Sequence, residues 1–216
     1  MYRATWFCLV GFAVFAAWVP GDEGLHPAVD APGFAPLFNG KDLTGWQTTG
    51  NWTVEADGSI ALHPRPGESG WKRFDAYLTT AKQYGDFVLD LEFKFEPKGN
   101  SGVFLRVGDL RDHVQSGFEV QILDTYGLEK PGHHDCGGIV HVVGPSRNMV
   151  KPAGEWNRYT ITVRGRQVQV VFNGVKTIDL NLDETVKKDR PNRGYIAFQD
   201  EARRVAYRNV RIKELP

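Results

Sequence analysis

From Phe87 to Phe95 the chain keeps a period of two: Phe87, Leu89, Leu91, Phe93 and Phe95 alternate with Val88, Asp90, Glu92 and Lys94. Successive side chains of a pleated strand point to opposite faces, so this pattern predicts a half-buried β-strand and does not fit an amphipathic helix. Similar alternation recurs elsewhere. Val103, Leu105 and Val107 oppose Phe104 and Arg106, while Phe118, Val120 and Ile122 oppose Glu119 and Gln121. A short strand is predicted over Ile139 to Val143, carrying His141. Tyr159 to Arg164 and Val168 to Phe172 read as a hairpin through Gly165, and Tyr195 to Gln199 and Val205 to Ile212 as the last strands. Alternation breaks between Tyr207 and Val210, which predicts a bulge.

Turn chemistry fits between these runs. Asp57-Gly58 separates Trp52 and Val54 from Ile60 and Leu62, and Asn173-Gly174 offers two positions that tolerate the left-handed conformation of a tight hairpin turn. The loop Leu37 to Trp46 mixes turn formers with Phe38, Leu43 and Trp46, which are expected to anchor it in the core. Helix signals are nearly absent, with one or two turns at most over Leu182 to Lys188. Many short strands with Gly and Pro punctuation predict an all-β fold of two antiparallel sheets packed face to face, a β-sandwich.

Composition narrows this picture. A chain of 216 residues suits one domain with a substantial core. With 26 basic and 26 acidic residues the formal net charge is zero, so no global field draws in a phosphate backbone, and nucleic acid is not an expected partner. Residues 1–20 differ in kind: Arg3 precedes an apolar run from Trp6 to Val19, closed by Pro20-Gly21. That reads as an export signal or an uncleaved membrane anchor, with no integral membrane domain beyond it and a periplasmic or secreted location. Residues 21–33 are expected to be a flexible linker and 34–216 the sandwich domain. Cys8 lies in the signal, which leaves Cys136 alone and the exported chain without an internal disulfide.

Five stretches, in this order, resemble the 3-keto-disaccharide hydrolase domain family. They are Leu37-Phe38-Asn39-Gly40-Lys41-Asp42-Leu43 with Gly45-Trp46, then Asn100-Ser101-Gly102-Val103-Phe104-Leu105-Arg106, then Phe118-Glu119-Val120-Gln121-Ile122-Leu123-Asp124, then Gly154-Glu155-Trp156-Asn157, and finally Arg208-Asn209-Val210-Arg211-Ile212. The resemblance implies a concanavalin A-like jelly roll, export from a bacterial cell, and hydrolase or lyase action on glycosides whose sugar is oxidised at C3. The chain departs from the family at Val140, where a Tyr is usual, and at Glu201, where a His is usual.

A ketone at C3 acidifies the hydrogen on C2, so the chemistry implied needs a base, a group to hold the enolate and a proton donor for the leaving oxygen. Glu119, on the polar face of its strand, is read either as base or proton shuttle, with its pKa raised by burial, or as a salt-bridge partner of Arg106. Arg106 either holds the enolate oxygen or a sugar hydroxyl with its forked donors, or pairs structurally with Glu119. Gln121 would bind sugar hydroxyls or pair with backbone; Asp124 would be a second acid or a turn cap. His141 is expected either to project into the groove as a proton donor or to sit in the core. Trp71, Phe74 and Tyr77 follow a Gly/Pro-rich loop and would stack on a sugar ring or pack at a sheet edge, with Lys72 and Arg73 as a solvated rim. The run His133-His134-Asp135-Cys136 is read as a polar rim loop, because four adjacent residues cannot all aim at one ion and no zinc spacing appears; no metal site and no cofactor are assigned.

Two other functions compete. Glu119-x-Gln121-x-x-Asp124 has the spacing of a laminarinase-like endoglucanase motif, though Gln121 and the short Asp124 depart from it. A non-catalytic carbohydrate-binding module is the other.

Overall fold

The computed structural model describes residues 25–216, and the predicted export signal lies outside the described residues. In chain order the strands are β1 (Ala35–Pro36), β2 (Trp46–Gln47), β3 (Trp52–Val54), β4 (Ile60–Leu62), β5 (Leu78–Thr80), β6 (Phe87–Phe95), β7 (Asn100–Val107), β8 (Phe118–Leu123), β9 (Asn157–Arg164), β10 (Gln167–Phe172), β11 (Val175–Asn181), β12 (Tyr195–Phe198) and β13 (Val205–Glu214). The helix α1 (His113–Ser116) and 3₁₀ turns at Phe74–Ala76 and Leu182–Glu184 complete the described elements. Among the described residues no helix is long and apolar enough to cross a membrane.

The strands form two antiparallel sheets, as the alternation predicts. One is eight-stranded in the order β11-β10-β9-β6-β13-β4-β3, with β1 also paired to β13; the other is five-stranded, β2-β5-β12-β7-β8. β6 holds the middle of the larger sheet with the bounds its period marks out, and Leu89, Leu91 and Phe93 are fully buried between the layers. Opposite them the smaller sheet contributes Val103, Leu105, Phe118, Val120, Ile122, Ile196 and Phe198. Each such side chain contributes about 1.5–3 kcal/mol by leaving water. Two hydrogen bonds cross this apolar layer to the strands that matter below. Tyr159 Oη donates to the Gln121 carbonyl at 2.7 Å, and Tyr207 Oη bonds Ser101 Oγ at 2.8 Å, while within the smaller sheet Ser101 Oγ donates to the Gln199 carbonyl at 2.8 Å.

The hairpin turns form where expected, with Asn173 at φ 46° and Gly174 at φ 88°. The bulge in β13 is present too: its register with β6 shifts between Arg208 and Arg211, around Asn209 at φ 52°. Three local expectations are corrected. Ile139–Val143 is a tight turn rather than a strand, because the Val142 and Val143 N–H groups both donate to the Ile139 carbonyl, at 2.9 and 3.1 Å. The described part of the expected linker, 25–33, lies on the outer face of the larger sheet. His26 Nδ1 bonds Thr160 Oγ1 at 2.8 Å, and Arg158 and Arg211 donate to the Pro27 carbonyl at 2.8 and 2.9 Å. Composition without periodicity suggested a tether; hydrogen bonds from residues more than a hundred positions away fix it instead.

Arg106 is the third. Uniform alternation along β7 places it beside Phe104 on the site face, but the β7–β12 register shifts between Tyr195 and Ala197, and Arg106 takes φ 50°. The extra residue re-aims the side chain, as bulges do. Arg106 is fully buried with its guanidinium turned away from Glu119: Nε donates to the Gly85 carbonyl at 2.9 Å, Nη1 to the Gly165 carbonyl at 2.6 Å, and Nη2 to Asp86 Oδ1 at 2.7 Å. It ties the small sheet to the turn between β9 and β10 and neither reaches a substrate nor pairs with Glu119.

Candidate active site

A cavity of about 320 Å³ opens on the five-stranded sheet, lined by Trp71, Asn100, Val114, Glu119, Gln121, His134, Val140, His141, Gln199 and Glu201. Its floor follows from strand pairing. Glu119 stands opposite Phe104 and Gln121 opposite Gly102 across the β7–β8 ladder, and the Gln199 N–H donates to the Gly102 carbonyl at 2.9 Å. Gly102 is required by close approach: a Cβ there would lie 1.9 Å from Glu119 Oε1.

Glu119 is 7% exposed, and its Oε1 has no hydrogen-bond partner. Burial pushes its pKa up to about 8, the nearby Glu201 carboxylate adds to the rise, and Lys187 partly opposes it. The carboxyl is therefore mostly protonated at neutral pH while keeping an ionised fraction, the balance a proton shuttle needs. Asn100 Oδ1 and Gln199 Oε1 are likewise buried without partners. A buried polar atom left unpaired costs about 1–3 kcal/mol, so three lining one cavity mark a place built for a polar ligand.

One wall is a loop laid along the free edge of β8. The Gln121 N–H donates to the Gly138 carbonyl and Gly137 N–H to the Gln121 carbonyl, both at 2.9 Å, and the Val140 N–H donates to the Glu119 carbonyl at 3.1 Å. This pairing carries His134 and His141 to the cavity, His141 at the tip of the turn with φ 65°. Desolvation and neighbouring imidazoles hold both rings below the usual histidine pKa. The opposite rim carries Trp71, 39% exposed. Its loop is anchored by Arg73, whose guanidinium donates to both Asp200 carboxylate oxygens at 3.1 and 3.2 Å, so Arg73 is a clamp rather than a solvated rim residue.

Of the residues singled out from sequence, the cavity brings together Glu119, Gln121, His141 and Trp71. Arg106 stands elsewhere, as described. Asp124 caps a turn, its Oδ2 accepting the Lys98 N–H at 2.8 Å, which leaves it outside the cavity lining. Tyr77 is buried against Phe104 and His113, and its hydroxyl donates to the Trp71 carbonyl at 2.8 Å; it supports the rim and does not face the cavity. Asn100, His134, Gln199 and Glu201 were missed as site residues. Asn100 heads a stretch already singled out, but nothing along one strand announces that its oxygen will lack a partner.

A two-sheet antiparallel sandwich with unpaired amide and carboxyl oxygens beneath an exposed tryptophan belongs with the carbohydrate-active jelly rolls. Residues 33–213 match the family described as the 3-keto-alpha-glucoside-1,2-lyase-like domain, and the chain belongs to that family. A 3-keto-disaccharide hydrolase of Bacteroides thetaiotaomicron is 24% identical over 239 residues, spanning 89% of this chain and 82% of the relative. A crystal structure of a candidate glycosyl hydrolase from Parabacteroides distasonis superposes with a TM-score of 0.73 at 26% identity, over 85% of this chain and 95% of that one. A carbohydrate-binding module of Bacillus subtilis shares the fold at 12% identity and TM-score 0.57, over 79% of this chain and 96% of the module. Val140 and Glu201, the two departures from the family pattern, both line the cavity.

Proposed function

We propose that the protein is an exported hydrolase or lyase that cleaves 3-keto-glycosides in the Glu119 cavity. The observation that carries this reading is the Glu119 carboxyl, buried, unpartnered at Oε1 and poised near a pKa of about 8. Its ionised form takes the proton from C2, and the electron pair passes into the C3 carbonyl as an enolate. Collapse of the enolate restores the ketone, forms the C1–C2 double bond and expels the C1 oxygen, which takes its proton from the same carboxyl. Water then adds its oxygen to C1 and a proton to C2, which completes a net hydrolysis. Asn100 and Gln199 offer amides to sugar hydroxyls and Gln121 offers its NH₂, its Oε1 accepting the Ile122 N–H at 3.0 Å; the Trp71 face covers apolar C–H surface, and His134 and His141 line the same cavity.

The retaining-endoglucanase reading loses its motif partner, since Asp124 is bound to the Lys98 N–H. Aglycone release from a nitrophenyl 3-keto-glucoside, compared with its unoxidised parent, tests the proposal. Release is expected from the oxidised substrate alone, and Glu119→Gln should lower its kcat by about 10²–10⁴-fold. Release from the parent instead would favour the endoglucanase, and sugar binding with no release a carbohydrate-binding module; either result overturns the proposal.

A further inference from the structure

We infer that His133, His134 and His141 form a binding site for a first-row divalent transition-metal ion at the rim of the Glu119 cavity. The run His133-His134-Asp135-Cys136 does not converge on one point, as expected of four neighbours. Cys136 is buried in the core, with Sγ 3.3 Å from Tyr159 Oη, and Asp135 Oδ2 accepts the Gly132 N–H at 2.6 Å. What remains are two imidazoles, and the turn at Ile139–Val143 brings a third. One potential ligand nitrogen from each of the three lies within 4.8 Å of the others. His134 Nε2 and His141 Nδ1 are 3.3 Å apart. Two nitrogens bound to one tetrahedral ion at about 2.0–2.1 Å stand roughly 3.3 Å from each other, so this pair already has the spacing of two ligands. His133 is held beside them by the His141 N–H, which donates to its Nδ1 at 3.2 Å, with a ligand nitrogen of the ring within 4.8 Å of the pair.

The backbone is shaped for the same convergence. His141 occupies the left-handed region at φ 65°, which non-glycine residues adopt at a cost of order 1–3 kcal/mol. The surrounding bonds keep it there: Ile139 N–H to the Val143 carbonyl at 2.9 Å, and Val140 N–H to Glu119 at 3.1 Å. Across the gap, the Asp135 carboxylate and the Gly132 backbone close the loop that bears His133 and His134, the Asp135 N–H donating to the Gly132 carbonyl at 3.1 Å. Three nitrogen donors and no carboxylate in the triad suit zinc, cobalt, nickel or copper rather than calcium or magnesium. Three protein ligands also leave a fourth position free, the arrangement of catalytic rather than structural sites. His134 and His141 both line the Glu119 cavity, so that position is open to a ligand there. On the 3-keto-glycoside reading, and resting on it, the ion would polarise the C3 carbonyl and hold the enolate oxygen, the role that Arg106 does not fill.

The test is cobalt titration of the tag-free, chelator-stripped protein, followed by calorimetry and by visible absorption. One equivalent should bind with the intense bands of low-coordinate cobalt, and His134→Ala and His141→Ala should each weaken binding at least about 10–100-fold, ligand loss costing no less than loss of a supporting contact. No stoichiometric uptake, or uptake unchanged in the His134→Ala/His141→Ala double variant, overturns the site. The same samples assayed on a 3-keto-glucoside separate the two claims. Stoichiometric uptake without turnover upholds the metal site and defeats the proposed function. Turnover by chelated protein that takes up no cobalt defeats the metal site and leaves the function standing.

Discussion

The two outer faces of the sandwich each bury a carboxyl group and treat it in opposite ways. On the larger sheet Asp90 is 2% exposed and fully engaged. Arg158 donates from Nε and Nη2 at 3.0 and 2.9 Å, Thr160 Oγ1 at 2.6 Å and Arg211 Nε at 2.8 Å. Burial pushes the Asp90 pKa upward, yet the bonds from Arg158, Thr160 and Arg211 outweigh it and hold the carboxyl below its ordinary value. On the smaller sheet Glu119 is nearly as buried, but one oxygen has no partner and its pKa rises to about 8. A saturated buried charge fixes the architecture, here by holding three strands and the 25–33 segment together. An unsaturated one keeps a capacity in reserve for a ligand.

The contrast can be broken or sharpened by experiment. Asp90→Ala should have the largest effect: it leaves two guanidinium groups without their carboxylate and should cost about 3–5 kcal/mol in urea denaturation while leaving turnover per folded molecule unchanged. A stability near wild type would show that the Asp90 cluster is not the structural one. Next comes Gly102→Ala. Its new Cβ would meet Glu119 Oε1 at 1.9 Å and Cδ at 2.7 Å, so the carboxyl must swing aside. We expect turnover to fall by about 10²-fold with a much smaller change in unfolding free energy, as misplacement of a reacting group by ~1 Å does. Full activity in this variant would mean that the Glu119 position is not critical.

The last test is in pH dependence. Glu119 has a folded-state pKa of about 8 against an ordinary 4.5, so the native state holds more protons than the unfolded state between those values. Its contribution to stability is complete below the lower value and is lost as pH rises through the upper one. Glu119→Gln removes that loss. The wild type should therefore lose stability relative to the variant progressively between about pH 4.5 and about pH 8, by up to a few kcal/mol, and the two melting curves should run parallel outside that window. Curves parallel across the window as well would mean that the carboxyl is not desolvated.

Much of the fold was legible along single strands. The period of two in Phe87–Phe95, the Asn173-Gly174 turn and the broken alternation before Val210 each formed as read, because each depends only on a residue and its near neighbours. The polar face of β8 was legible for the same reason, and with it Glu119 and Gln121. The misreadings share a cause. Arg106 left the site face because β7 carries one extra residue against β12, which begins at Tyr195, 89 positions later by subtraction of the two residue numbers. The Ile139–Val143 run satisfied strand propensity but lies outside a sheet of its own, at the free edge of β8. Asp124 and Tyr77 found local partners in Lys98 and Trp71.

By itself, then, the sequence determined which side chains along each strand face the core, since that follows from alternating Cβ directions and local turn chemistry. Only the tertiary structure decided which buried polar atoms are left without a partner. Hydrogen-bond satisfaction is a property of everything that packs around an atom: Asp90 acquires its donors from strands remote in sequence, while Glu119, Asn100 and Gln199 meet at a cavity where no such donor arrives.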